Sequence, residues 1–246
     1  MNNLARRFLL PIAAMFQIAG SSLPQIFKWG EPIGARSLAL DTALVPAGWA
    51  FSIWGIIFLW SVIYAIYAAT RNEDRSSLAV KTAWPAICAF SMNGLWGLYT
   101  PFFGLTLISE LIIVAGLFCA ITAALIAGRF QDSSAVERIL ISAPLGLVAG
   151  WLTAASFVGG SSVLLGLGVE MTDVVMVAIL VGATVFAGLV ILRRPSLAYS
   201  IAIVWALAAV ISKNHEGGNQ IVLFAAGASM AAVFFVTVIS KKSQRA

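Results

Sequence analysis

The stretch Pro46–Ala69, PAGWAFSIWGIIFLWSVIYAIYAA, runs for 24 residues without a charge. A transmembrane helix needs ~20 predominantly apolar residues, so this segment is long enough to cross a bilayer. Runs of similar length recur along the chain. They fall at about Phe8–Phe27, Trp49–Ala69, Ala83–Phe102, Leu105–Gly128, Ile139–Leu165, Thr172–Leu192, Leu197–Ser212 and Ile221–Ser240. The whole composition agrees: 61% of the 246 residues are hydrophobic, 10% are charged and the mean hydropathy is +0.97. A soluble domain is nearer about 45–50% apolar and roughly 25% charged. So few charges cannot cover a water-facing surface. The sequence therefore predicts an all-α integral membrane protein, a helical bundle of about eight transmembrane helices, and excludes a soluble enzyme.

The basic residues orient the bundle. Arg6, Arg7, Arg71, Arg75, Lys81, Arg129, Arg138, Arg193, Arg194, Lys241, Lys242 and Arg245 fall on one side of the alternating spans. Lys28, Arg36 and Lys213 fall on the other. Twelve against three makes the first side cytoplasmic, with both termini there and an even number of spans. The formal charge of +5 is thus a topology signal and carries no indication of nucleic-acid binding. Arg6-Arg7 before an apolar run ending in Ala19-Gly20-Ser21 also fits a cleaved signal peptide. Pro11 within the run and hydrophobicity continuing to Phe27 favour a retained first helix. Cys88 and Cys119 lie in apolar runs and form no CxxC motif, which gives neither a disulfide scaffold nor a zinc site.

Seven of the eight tryptophans lie in the first five spans and their loops; only Trp205 lies beyond. Trp29, Trp49 and Trp84 sit at predicted helix ends, where an interfacial aromatic belt accounts for them. Trp54 and Trp96 lie deeper. Phe51, Trp54 and Phe58 share one helical face, as do Asn93, Trp96 and Thr100, with Phe90 one turn before. Asn93 must find a hydrogen-bond partner in hydrocarbon, either on a neighbouring helix or on a ligand. Glu110 is an intramembrane carboxylate and a functional candidate by that placement, or else a hydrogen-bonded structural group. Gly146 and Gly150 form a GxxxG that permits close helix contact, within the bundle before a dimer. Gly159-Gly160-Ser161-Ser162 is expected to end or distort the fifth helix. The single histidine, His215, has no carboxylate cluster or second histidine near it in the sequence, so triad, metal and bis-His haem chemistry have no support. No P-loop motif is present.

Together these segments resemble the tryptophan-rich sensory protein/translocator protein (TspO/MBR) family. Pro46–Tyr67 is similar to its second helix, Asn93-Gly94-Leu95-Trp96 to its Asn-x-x-Trp, Leu107–Glu110 to the start of its fourth helix, and Pro144 with Trp151–Ala155 to its last. The resemblance covers about residues 8–165. The Trp49–Trp54 interval is one residue shorter than in typical members, the paired prolines are reduced to Pro46, and no Asn follows Trp151. Members usually end after five spans, so residues 1–168 correspond to the five-helix bundle and 169–246 form a three-helix extension. The resemblance implies a pocket opening at the first loop for a tetrapyrrole such as protoporphyrin or haem, a sterol or another flat aromatic molecule. Carried over, Trp49, Phe51 and Trp54 line one wall, Phe90, Asn93 and Trp96 a second, and Trp151 a third. Lys28 and Arg36, on the outer side by the charge count, are placed to pair with propionates. No cofactor or metal is required by this reading; a bound tetrapyrrole is the expected ligand.

The expected function is a membrane sensor or binding protein acting through a partner, located in a bacterial inner membrane. A secondary transporter coupled through Glu110 is the alternative. An enzyme has least support, because no catalytic constellation exists. A homodimer or a membrane-protein partner stays open, and nucleic acid is not a partner.

Overall fold

A computed structural model describes residues 3–70, 77–130, 133–194, 196–215 and 217–243, all helix, turn or loop without a strand. Eight long helices carry the fold: α1 (Asn3–Ile26), α3 (Ile53–Thr70), α4 (Leu78–Phe103), α5 (Leu107–Ala127), α7 (Ala143–Gly166), α8 (Asp173–Arg193), α9 (Leu197–His215) and α10 (Gln220–Ser243). A short α2 (Ile33–Ala39) lies in the first loop, a 3₁₀ turn (Gly48–Ser52) precedes α3, and α6 (Ala135–Glu137) passes through one π turn into α7. Among the described residues, seven segments are long and apolar enough to cross a membrane. The remaining long helix is α4, at 26 residues. It is diluted by Lys81, Pro85, Asn93, Tyr99 and Pro101, which a helix packed among others can carry without facing lipid.

The packing follows chain order with one closure. Helix α1 contacts α4, α4 contacts α5, α5 contacts α7, α7 contacts α3, and α3 returns to α1, making a ring of five. Helix α9 then packs on α7 and on the 3₁₀ turn, with α10 against α9 and α8. One buried core runs through both parts, from Leu10 to Val233. Lys28, Arg36 and Lys213 lie at one end of the bundle, and Arg6, Arg7, Lys81, Arg129, Arg138, Arg193, Arg194, Lys241 and Lys242 at the other, as helix direction alternates. Arg71, Arg75 and Arg245 lie outside the described residues.

Small residues set the closest crossings. A Cβ on Gly20 would stand 2.2 Å from the Gly94 carbonyl oxygen, and one on Gly97 2.4 Å from Ser21 Oγ, so α1 and α4 meet backbone to backbone. The GxxxG pair of α7 faces α9: a Cβ on Gly146 would meet Ser196 Oγ at 2.4 Å and one on Gly150 the Tyr199 carbonyl oxygen at 2.4 Å. The expected break at Gly159-Gly160 does not occur, and α7 runs unbroken to Gly166. These glycines lie against the Glu110 carboxylate, where a Cβ at Gly159 would stand 2.8 Å from Oε2. Their lack of side chains makes room between α5 and α7 for the carboxylate. At the other turn, Gly104 takes φ 79 to reverse the chain, and Thr106 and Ser109 form a reciprocal cap that starts α5.

A candidate ligand vestibule beneath the first loop

A cavity of about 460 Å³ opens at the outer end of the five-helix ring. Phe51, Trp54 and Phe58 form one wall, and Trp96 a second. Ser21, Ser22 and Gln25 at the end of α1, with Ser37 of α2, make its polar mouth. The aromatic stripe read from the sequence therefore faces this space, because i, i+3 and i+7 place three rings on one helical face. Trp151 backs the same wall from α7, edge-on to Phe51 at 6.2 Å and to Trp54 at 5.9 Å between ring centroids. Offset edge-to-face rings of this kind hold one another in place and present faces to a ligand.

The other anticipated residues go elsewhere. Trp49 is 43% exposed, stacks edge-on against Trp205 at 4.8 Å, and donates from Nε1 to Ser212 Oγ at 3.4 Å. Phe90 is fully buried against Tyr64 and belongs to the core. Asn93 Nδ2 donates to Gln17 Oε1 at 3.1 Å, across the α1–α4 crossing. Replacing it with Ala would strand a buried Gln17, so Asn93→Ala is expected to cost about 1–2 kcal/mol in thermal or denaturant unfolding. Ligand affinity should stay within about threefold of the parent; a tenfold loss at unchanged stability would instead put Asn93 in the site.

Arg36 is committed to the loop itself. Its Nε pairs with Glu31 at 3.0 Å, and its Nη2 donates to the Pro101 carbonyl at 3.2 Å. With Glu31 N donating to the same carbonyl at 2.9 Å, the first loop is stitched to the end of α4. Lys28 is exposed beside the mouth, with φ 56. The Glu110 carboxylate makes no hydrogen bond or ion pair among the described residues and lies against Gly159 of α7.

The rim of the vestibule is held from α9. Ala47 N donates to the Ala209 carbonyl at 3.1 Å, and Trp205 Nε1 to the Ala50 carbonyl at 2.9 Å. Lys213 pairs with Asp41 and donates to the Thr42 carbonyl at 3.0 Å, while Asn214 Nδ2 donates to the Ala43 carbonyl at 2.8 Å. Thr42 also meets Ser161 of α7, hydroxyl to hydroxyl at 3.2 Å. Sequence reading missed these residues, together with Ser21, Gln25, Ile33 and Ser37. The i, i+4 spacing of Ser21 with Gln25 and of Ile33 with Ser37 was the available signal, but nothing local says what such a face meets.

An all-α, multi-pass bundle with an aromatic pocket below its first loop defines a class of membrane-embedded ligand-binding proteins. Within that class the match is specific: a family model described as TSPO-like protein matches residues 7–239, and the chain belongs to that family. The matched region runs through α8, α9 and α10 as well as the ring of five. No curated protein and no solved structure gives a significant match.

Proposed function

We propose that this protein binds a flat hydrophobic molecule of the tetrapyrrole class in the vestibule and reports its presence to a partner. The observation that carries this reading is the convergence of Phe51, Trp54, Phe58 and Trp96 on one space of about 460 Å³ beneath the first loop. That volume lies in the usual range for small-molecule sites, roughly 300–1,000 Å³, with apolar walls and few polar groups. Flat rings stack on aromatic faces. Serine hydroxyls and Gln25 at the mouth suit the polar edge of such a ligand. Helix α2 contributes Ile33 and Ser37 to the lining, so an occupied vestibule favours one position of α2 and changes the outer surface a partner meets.

Titration of the purified protein with protoporphyrin IX, followed by tryptophan quenching, tests this. Trp96→Ala and Phe51→Ala are each expected to weaken binding about tenfold, the loss of one stacking wall with its buried area. Phe224→Ala, on a lipid-facing position of α10 that is 71% exposed, should leave it unchanged. Equal affinity in all three variants would remove the vestibule as the site.

Glu110 supports a second reading, secondary transport with the carboxylate as the coupling group, because an intramembrane acid without a partner is costly to keep. Proton-driven uptake that disappears in Glu110→Gln would favour it over sensing.

A further inference from the structure

Two smaller chambers continue inward from the vestibule. The first, about 70 Å³, shares Ile33, Ser37, Pro46, Phe51 and Trp96 with it. The second, about 50 Å³, shares Ala154, Val158, Ala206 and Val210 with the first and is lined on its far side by Ile179, Leu180 and Ala183 of α8. Shared lining residues place the three spaces side by side, a file from the polar mouth to the junction of α7, α8 and α9. At about 70 and 50 Å³ the two inner chambers are too small for a macrocycle.

Water is a poor occupant. The deepest chamber is lined almost wholly by apolar side chains, and its two hydroxyls are already bonded, Thr153 to the Ala149 carbonyl and Thr184 to the Leu180 carbonyl. Apolar cavities of this kind stay dry and accept apolar guests. The middle chamber adds a second observation. Trp151 Nε1 and Ser162 Oγ are both buried without a hydrogen-bond partner, on residues that line it and are 3% and 1% exposed. Two unsatisfied donors at mid-path suit a guest that carries an acceptor oxygen ahead of an apolar chain.

We propose that the file binds a single-chain amphiphile, of the chemistry of a free fatty acid, with its polar head toward the vestibule and its chain between α7, α8 and α9. The proposal rests on the vestibule being the ligand site. It gives α8 and α9 a role in ligand selection: they supply the far walls of a space that the ring of five alone would leave open.

The test uses the full chain in amphipol, with straight-chain fatty acids from butanoate to palmitate displacing cis-parinaric acid. Affinity should tighten about fourfold per added carbon while the chambers fill, the increment expected for a buried methylene. It should then level off once the space beyond Trp151 and Ser162 is filled. Ala206→Phe, which fills the wall common to both inner chambers, should weaken the long-chain acids at least tenfold. Should that variant fail to fold, the chain-length profile of the parent decides. An affinity that rises with chain length without levelling off, as simple partitioning does, overturns the proposal. So does a folded Ala206→Phe chain with unchanged affinity. Protoporphyrin binding that depends on Trp96, with no plateau for fatty acids, overturns the file and leaves the vestibule reading standing. A plateau without protoporphyrin binding keeps the file and removes the tetrapyrrole class as the occupant of the vestibule.

Discussion

Gly20→Ala is expected to lower the melting temperature sharply, at a cost of about 3 kcal/mol, and to abolish ligand binding at the vestibule. The added methyl would stand 2.2 Å from the Gly94 carbonyl oxygen and 2.8 Å from its carbon. Both are backbone atoms, so no rotamer change relieves the clash and α1 must move away from α4. In a bilayer nothing like the hydrophobic effect draws the two helices back together, because lipid chains are as apolar as the helix faces; close packing is the attraction, and distance destroys it. The consequence reaches the site because Ser21 and Ser22 follow Gly20 directly and form part of the mouth. Gly188→Ala is the matched control. It lies on α8 with nothing within 4 Å of its Cβ position, so it should be neutral or slightly stabilising through helix propensity. Thermal unfolding followed by tryptophan fluorescence separates the two. Equal melting temperatures would show that the α1–α4 contact is not as close as described.

The second large effect is expected at Asn214, far from the vestibule in sequence. Its Nδ2 donates to the Ala43 and Val210 carbonyls, each at 2.8 Å, and its Oδ1 accepts from Asn219 N at 3.0 Å. One 2% exposed side chain thus joins the vestibule rim to α9 and α9 to the start of α10. Asn214→Ala leaves an acceptor on Ala43 and a donor on Asn219 without partners, which costs about 2–4 kcal/mol. The local signature is more telling than the melting temperature. Hydrogen exchange of amides 43–50 should accelerate, Ala47 in particular, since its N–H reaches across to Ala209. Protoporphyrin affinity should fall with it, because an ordered rim lowers the entropic cost of closing on a ligand. Ser212→Ala removes only the long, exposed bond from Trp49 and should change stability by less than about 0.5 kcal/mol. Unaltered exchange over 43–50 in Asn214→Ala would mean that α9 does not hold the rim.

Much of the candidate vestibule lining was legible because it is periodic. Phe51, Trp54 and Phe58 must share a helical face wherever the helix goes, and that face lines the vestibule. Trp96 stood out as an indole deep inside an apolar run, and Trp151 through the family resemblance. Trp49, placed in the site by the family resemblance, and Phe90, placed there by its spacing one turn before Asn93, go elsewhere: one faces Trp205 and the other the core. Helix rotation decides between such outcomes, and a run that is apolar on every side carries no moment to reveal it. Asn93 was read as needing a partner, but its partner Gln17 is 76 residues away and nothing local names it.

The sequence by itself determined the apolar spans, the alternation of basic residues at their ends and the family, since each depends on local apolar length, on charge at the span ends or on motif order. Tertiary structure decided where α8 and α9 sit. Residues of α9 tie down the rim through contacts between residues more than a hundred positions apart, and α8 lines the innermost chamber. The apolar stretch after Pro46 marked a membrane helix at first sight. That its opening turn is held in place by Trp205 and Ala209 could be seen only once α9 was packed against it, because backbone carbonyls and amides carry no sequence signature of the partner they will find.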